Sequence, residues 1–223
     1  MAKEMTQTKK SPERRFVAQD SSEIRLDKRD GDELPEIVGL GVVYYDGTPR
    51  TEYELWEGVV ERIMPGAATS VIDRGDDVRG LFNHSPDNLL GRRSAGTLRL
   101  KETKQGMNYY IPPGKTTIAR DVVEHIERGD LTGSSFAFNV LGENWRKEDG
   151  IEVREITDVE MFDIGPVSFP AYEASTTGVR SEDCADARAS YERWVASESE
   201  QKKAQIATPS QVALQKRKAA LSG

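Results

Sequence analysis

The chain has 223 residues, 36% hydrophobic and 31% charged, with a formal net charge of −7 at neutral pH. That length allows one sizeable core with tails, and the acidic balance, with a pI near 5.1, argues against bulk electrostatic binding of nucleic acid. The single cysteine, Cys184, excludes an intrachain disulfide and a cysteine-based zinc site, and it fits a reducing compartment.

A mean hydropathy of −0.63 is polar for a compact globule, so disordered ends around a well-formed middle are expected. The longest apolar run, "IVGLGVVYY" at 37–45, is far short of the ~20 residues that cross a bilayer. The N-terminus carries basic residues with no hydrophobic region behind them, which is not a signal peptide. A soluble cytosolic protein is the expectation.

Residues 1–35 are rich in charged residues and serine without periodicity, and read as a mobile arm. Then "EIVGLGVVYYDGT" reads as a strand ending in an Asp46-Gly47 turn. "EGVVERI" reads as a second strand closing at Pro65-Gly66. "AATSVIDRGDDV" is a short helix plus a loop. "RGLFNHSPDNLLGR" carries a short apolar piece that stops at the polar loop Asn83 to Asp87.

"TLRLKET" alternates Leu98 and Leu100 against polar neighbours, the period of a half-buried strand. "GMNYYIPPG" is another strand, ended by two prolines. "TTIARDVVEHIERGD" is the clearest helix. Ile118, Val122, Val123 and Ile126 share one face, and Gly129 stands where a helix ends. In "LTGSSFAFNV" (131–140), Phe136, Phe138 and Val140 alternate as in a strand, and "IEVREITDVEMFDIGPVSF" continues with one or two more. Beyond Pro170 come loop residues. Ala187, Tyr191, Trp194 and Val195 then have helical spacing, and the basic stretch 200–223 reads as a partly disordered or partner-binding tail. The fold class expected is α+β, with a β-rich core of antiparallel type and a few helices.

Two adjacent serines follow Gly133, and a serine nucleophile needs a base and a group that orients the base. There are two histidines. His125 lies on the polar side of the expected helix and reads as a surface residue. His84 opens a polar loop, where a backbone can present it to a cleft. The run Gly133-Ser134-Ser135-Phe136-Ala137 is not the nucleophile elbow of the α/β-hydrolases. That elbow leads into a helix and precedes its histidine in the chain, whereas here a strand comes next and both histidines lie upstream. For the acid, Val159, Met161 and Asp163 share strand parity. Asp163 therefore either points with the apolar side chains, where a histidine would compensate it, or begins a bulge or turn before Gly165-Pro166 and reaches solvent. Glu155, Asp158 and Glu160 are the alternatives.

Four stretches together resemble, in order, the prohead proteases of tailed bacteriophages, a family distantly related in fold to the herpesvirus assembly proteases. They are "EGVVERIMPGA", "LFNHSPDNLLGRRSAGTLRL", "IERGDLTGSSFAF" and "VEMFDIGPVSFPAY", spread over residues 36–180. The resemblance implies a closed, barrel-like sheet in a protease domain at 36–180, between the arm at 1–35 and the helix and basic tail at 181–223. It implies His84 as the general base, Ser135 as the nucleophile and Asp163 as the orienting acid, where the family more usually has glutamate. Ala137 replaces the family's usual glycine.

The activity that this resemblance implies is that of a serine endopeptidase, trimming capsid and scaffold proteins, and itself, inside the assembling prohead in the host cytoplasm. It would need no metal or organic cofactor, no nucleic acid and no membrane, and a homo-oligomer is compatible with it. By analogy with an arginine-bearing loop of the herpesvirus enzymes, Arg92 or Arg93 is a candidate for stabilising the oxyanion. The alternative is a catalytically silent assembly module with the same fold.

Overall fold

The computed structural model describes residues 12–17, 24–28, 31, 33–169 and 184–220, with side chains through residue 203. The closing Pro170-Ala171-Tyr172 of the fourth stretch lies outside them. The chain divides into two units, Met1–Asp183 and Cys184–Gly223.

The first unit is built on two sheets. One runs β1 (Glu13–Val17), β10 (Gly133–Glu148), β11 (Ile151–Val167), β5 (Val59–Ile63) and β4 (Glu52–Trp56), with β6 (Arg79–Leu81) also on β11 and β7 (Leu89–Arg92) on β6. The other runs β2 (Arg25–Asp27), β3 (Glu36–Val43), β9 (Gly106–Ile111) and β8 (Arg99–Glu102). β3 lies against β1, β10 and β11. The approach is so close that a Cβ at Gly41 would come within 2.3 Å of Ile164. Buried Phe136, Phe138, Met161, Ile164, Tyr109 and Ile111 form one core between the layers.

Among its described residues, two α-helices complete this unit. The first, α1 (Thr69–Arg74), ends at left-handed Gly75. The second, α2 (Thr117–Glu127), starts at Thr116, whose side chain accepts the Ala119 N–H and so satisfies one open donor of the first turn. The long β10–β11 hairpin closes on a turn that suits its twist. Asp149 and Gly150 are the two loop residues, both at positive φ, 48° and 88°, as a tight hairpin turn between right-twisted strands requires.

Three expectations need correction. The sheet is mixed rather than antiparallel, since β5 and β6 both pair parallel to the same edge of β11. The long chain between β5 and β11 supplies the crossover that parallel pairing needs. No barrel closes among the described residues: β1 and β4 end one sheet's strand order, β2 and β8 the other's. And the stretch read as a mobile arm contributes β1 and β2. β1 looks solvated in sequence, yet Glu13 and Arg15 are 2% and 0% exposed, because their charges are met inside the protein.

That compensation is a cluster of two arginines and three glutamates. Arg15 donates to both carboxylate oxygens of Glu61, Nε to Oε1 at 2.5 Å and Nη2 to Oε2 at 2.8 Å, and Nη2 reaches Glu13 at 2.7 Å. Arg154 donates to Glu13 at 2.8 Å, Glu61 at 2.8 Å and Glu143 at 2.7 Å. Burial alone would raise the Glu13 carboxyl, but Arg15 and Arg154 hold it below its ordinary value.

The second unit is α3 (Ala185–Ala220). It takes in the expected helix and continues through the stretch expected as a tail. Ala187 is buried, whereas Val195 is 40% exposed. No helix among the described residues is long and apolar enough to cross a membrane.

Candidate active site

The site begins with a strand that shows its two serines to opposite faces. Along β10, Ser134, Phe136 and Phe138 face the core, and the Ser134 hydroxyl lies 3.0 Å from the buried Tyr109 hydroxyl. Ser135 alternates to the other face. There its Oγ lies 2.6 Å from His84 Nε2 and donates to the main-chain carbonyl of Arg15 at 2.9 Å.

Asp163 reaches that same face through a bulge. In the β10–β11 register Ala137 opposes Asp163 and Phe138 opposes Met161, so Phe162 has no opposite residue. One extra residue resets the alternation. Met161 and Ile164 both stay in the core, while Asp163 sits across from Ala137 and so shares a face with Ser135. Simple parity therefore misplaces Asp163 with Met161. Its Oδ1 lies 2.5 Å from His84 Nδ1.

His84 comes from the loop between β6 and β7. Asn83 and His84 both adopt left-handed backbone, at φ 56° and 55°, which costs on the order of 1 kcal/mol each in residues other than glycine. The turn is held by reciprocal bonds to the end of β11. The Asn83 N–H donates to the Pro166 carbonyl at 3.1 Å. Its Nδ2 donates to Ser168 Oγ at 2.9 Å, and the Ser168 N–H returns a bond to Asn83 Oδ1 at 2.8 Å. Phe16 of β1 packs edge-on to the imidazole, with ring centroids 6.2 Å apart.

The three residues singled out in the sequence are thus in hydrogen-bond contact, Asp163 to His84 to Ser135. Their side chains are nearly dry: His84 and Asp163 are 10% and 13% exposed, and Ser135 is fully buried. A cleft of about 250 Å³ opens beside His84, lined by Arg14, Phe16, Asn83, His84, Val167 and Phe169. Chemically, a carboxylate holding Nδ1–H leaves Nε2 free to accept a proton from a hydroxyl.

The other candidates are engaged elsewhere. Glu155 accepts from Arg146 at 2.7 Å, Asp158 from Ser70 and Arg74, and Glu160 from Asn139 at 3.1 Å. Arg92 is paired with half-buried Asp77, which it holds well below the usual carboxylate range. Arg93 donates to the carbonyls of Val71, Ile72 and Asp76 at the end of α1. Neither guanidinium is therefore directed at an oxyanion beside Ser135. His125 is half-buried on α2, 3.3 Å from Asp130. Among the described residues no group of three or more His, Cys, Asp or Glu is gathered to hold a metal.

Sequence reasoning missed the part played by β1. Only the Phe16-Val17 pair hints at it, because its charged residues mask a strand.

No curated protein sequence matches the chain significantly. Among solved structures it is similar to the bacteriophage T4 capsid assembly protease, gp21. The TM-score is 0.43 at 9% identity, over 71% of this chain and 99% of that one. Residues 24–189, about three-quarters of the sequence, match the caudovirus prohead serine protease family, and the chain belongs to that family.

Proposed function

We propose that this chain is the endopeptidase of prohead maturation, with Ser135 as nucleophile, His84 as general base and Asp163 as the orienting acid. The observation that carries the reading is the continuous contact Asp163–His84–Ser135, at 2.5 and 2.6 Å, beside an open cleft. Its substrates are capsid and scaffold proteins and the chain itself, met inside the assembling prohead. The kinship in fold with the herpesvirus assembly proteases belongs to the same reading and rests on the order of the four sequence motifs.

The Ser135 hydroxyl has one proton and two acceptors near it, His84 Nε2 and the Arg15 carbonyl. Turned to Nε2, it loses that proton to His84 as Oγ attacks a peptide carbonyl. The imidazolium is then stabilised by Asp163 and returns the proton to the leaving amine. A water repeats the sequence to release the acyl group. Burial of the triad strengthens these charge interactions relative to water.

Co-expression with the cognate capsid protein tests the assignment. Wild type should process the capsid protein, and Ser135→Ala should abolish cleavage while Ser134→Ala does not. Processing that survives Ser135→Ala removes Ser135 from the role. Processing absent from wild type as well favours the catalytically silent module.

A further inference from the structure

The inference rests on the protease reading and concerns what holds its histidine in place. His84 sits in a backbone conformation that L-residues rarely adopt, next to a second residue in the same state, at φ 55° and 56°. Such strain persists only where the surroundings over-determine it. Asn83 supplies that constraint. Its main-chain N–H and both ends of its side-chain amide bond to Pro166 and Ser168, at 3.1, 2.9 and 2.8 Å.

These anchors are not arbitrary positions. Pro166 opposes Ser134 in the register, and Asp163 lies three residues before it on the same strand. Asn83 therefore ties the base-bearing loop to the end of the strand that carries the proposed acid and flanks the proposed nucleophile, its N–H on the strand and its amide on the residue just past it. Asparagine also suits the position in its own right, because its short polar side chain tolerates left-handed backbone. We propose that Asn83 is a positioning residue, whose amide clamp onto Ser168 keeps His84 Nε2 within reach of Ser135 Oγ.

Two readouts on the full-length chain test this: the rate of Ser135 labelling by a fluorophosphonate probe, and kcat and KM from initial rates over a range of capsid-protein concentrations. Asn83→Gly keeps the backbone conformation accessible and removes the amide, so its effect isolates the clamp. It should lower labelling rate and kcat by about 10- to 100-fold, the size expected for a misplacement near 1 Å, with KM within about twofold and circular dichroism unchanged. Asn83→Asp retains an acceptor for the Ser168 N–H and should recover most of the rate. Ser168→Ala should fall between Asn83→Gly and wild type.

Labelling of Asn83→Gly at the wild-type rate overturns the proposal, as does a change confined to KM, which would make Asn83 a substrate contact. If Asn83→Asp fails to fold, Ser168→Ala carries the comparison. A wild-type chain that neither labels nor processes capsid protein removes the protease reading and this inference with it. Normal wild-type labelling alongside normal Asn83→Gly labelling removes only this one.

Discussion

The main-chain carbonyl of Arg15 accepts the Ser135 hydroxyl at 2.9 Å, across 120 positions of sequence. The same residue's guanidinium is buried in the glutamate cluster. One residue thus joins the proposed nucleophile to the charge network that fixes β1 on the sheet.

Trimming at the N-terminus should therefore have a sharp limit. Removal of residues 1–11 leaves β1 whole and should preserve both the thermal midpoint and capsid cleavage. Removal through residue 18 takes away both Glu13 and Arg15, leaves buried Glu61 and Arg154 with only each other and half-buried Glu143, and should cost about 3–5 kcal/mol. Denaturant titration and capsid processing of the two truncations check this, and equal behaviour would count against β1 as part of the site.

Glu61→Gln tests the cluster without shortening the chain. Glu61 is fully buried and accepts from both Arg15 and Arg154. Losing its charge leaves two arginines sharing Glu13 and Glu143, and should destabilise by about 3 kcal/mol or more in urea. A change below about 1 kcal/mol would show that the cluster contributes little.

Acid should loosen β1. The Glu13 carboxyl is raised by burial and lowered further by Arg15 and Arg154, ending below its ordinary value. A group lowered on folding contributes stability that is fully present above its unfolded pKa, about 4.3. That contribution is lost as pH falls through the folded value. The thermal midpoint of wild type should therefore drop below pH 4 more steeply than that of Glu13→Gln, and parallel profiles would exclude Glu13 as a source.

Ser134→Ala should separate stability from activity. Ser134 and Tyr109 are buried partners at 3.0 Å, so the variant leaves the Tyr109 hydroxyl short of a bond and should cost about 1–2 kcal/mol. Capsid cleavage should persist. The double variant with Tyr109→Phe should recover part of the loss, and additive losses would deny the coupling.

Gly165→Ala should disturb the site through the backbone. Gly165 opposes Ser135 in the register, and a Cβ there would fall 2.3 Å from the Leu81 carbonyl oxygen of β6. Main chain cannot rotate away as a side chain can. A loss of about 1–3 kcal/mol is expected, with slower cleavage because β6 leads into the His84 loop. Unchanged stability would mean that β6 can move aside.

Much of this protein was readable within short windows of residues. Alternation in "SSFAFNV", helical spacing from Ile118 to Ile126, and the Asn83-His84 loop all express local geometry, so the elements that hold Ser135 and His84 were legible. The placement of Asp163, the proposed acid, was left open between two alternatives in the sequence, because a bulge arises between paired strands. Phe162 is extra only with respect to β10, and residue-by-residue parity along β11 put Asp163 on the wrong face. β1 was hidden for a related reason. Charged residues in "ERRFV" signal solvent when read locally, and their neutralisers lie 46 residues away in Glu61 and, for Glu13, 141 away in Arg154. Side-chain period and turn chemistry belong to neighbours in the chain. Register, sheet direction and charge compensation belong to neighbours in space, and the Arg15 carbonyl reaches Ser135 through them.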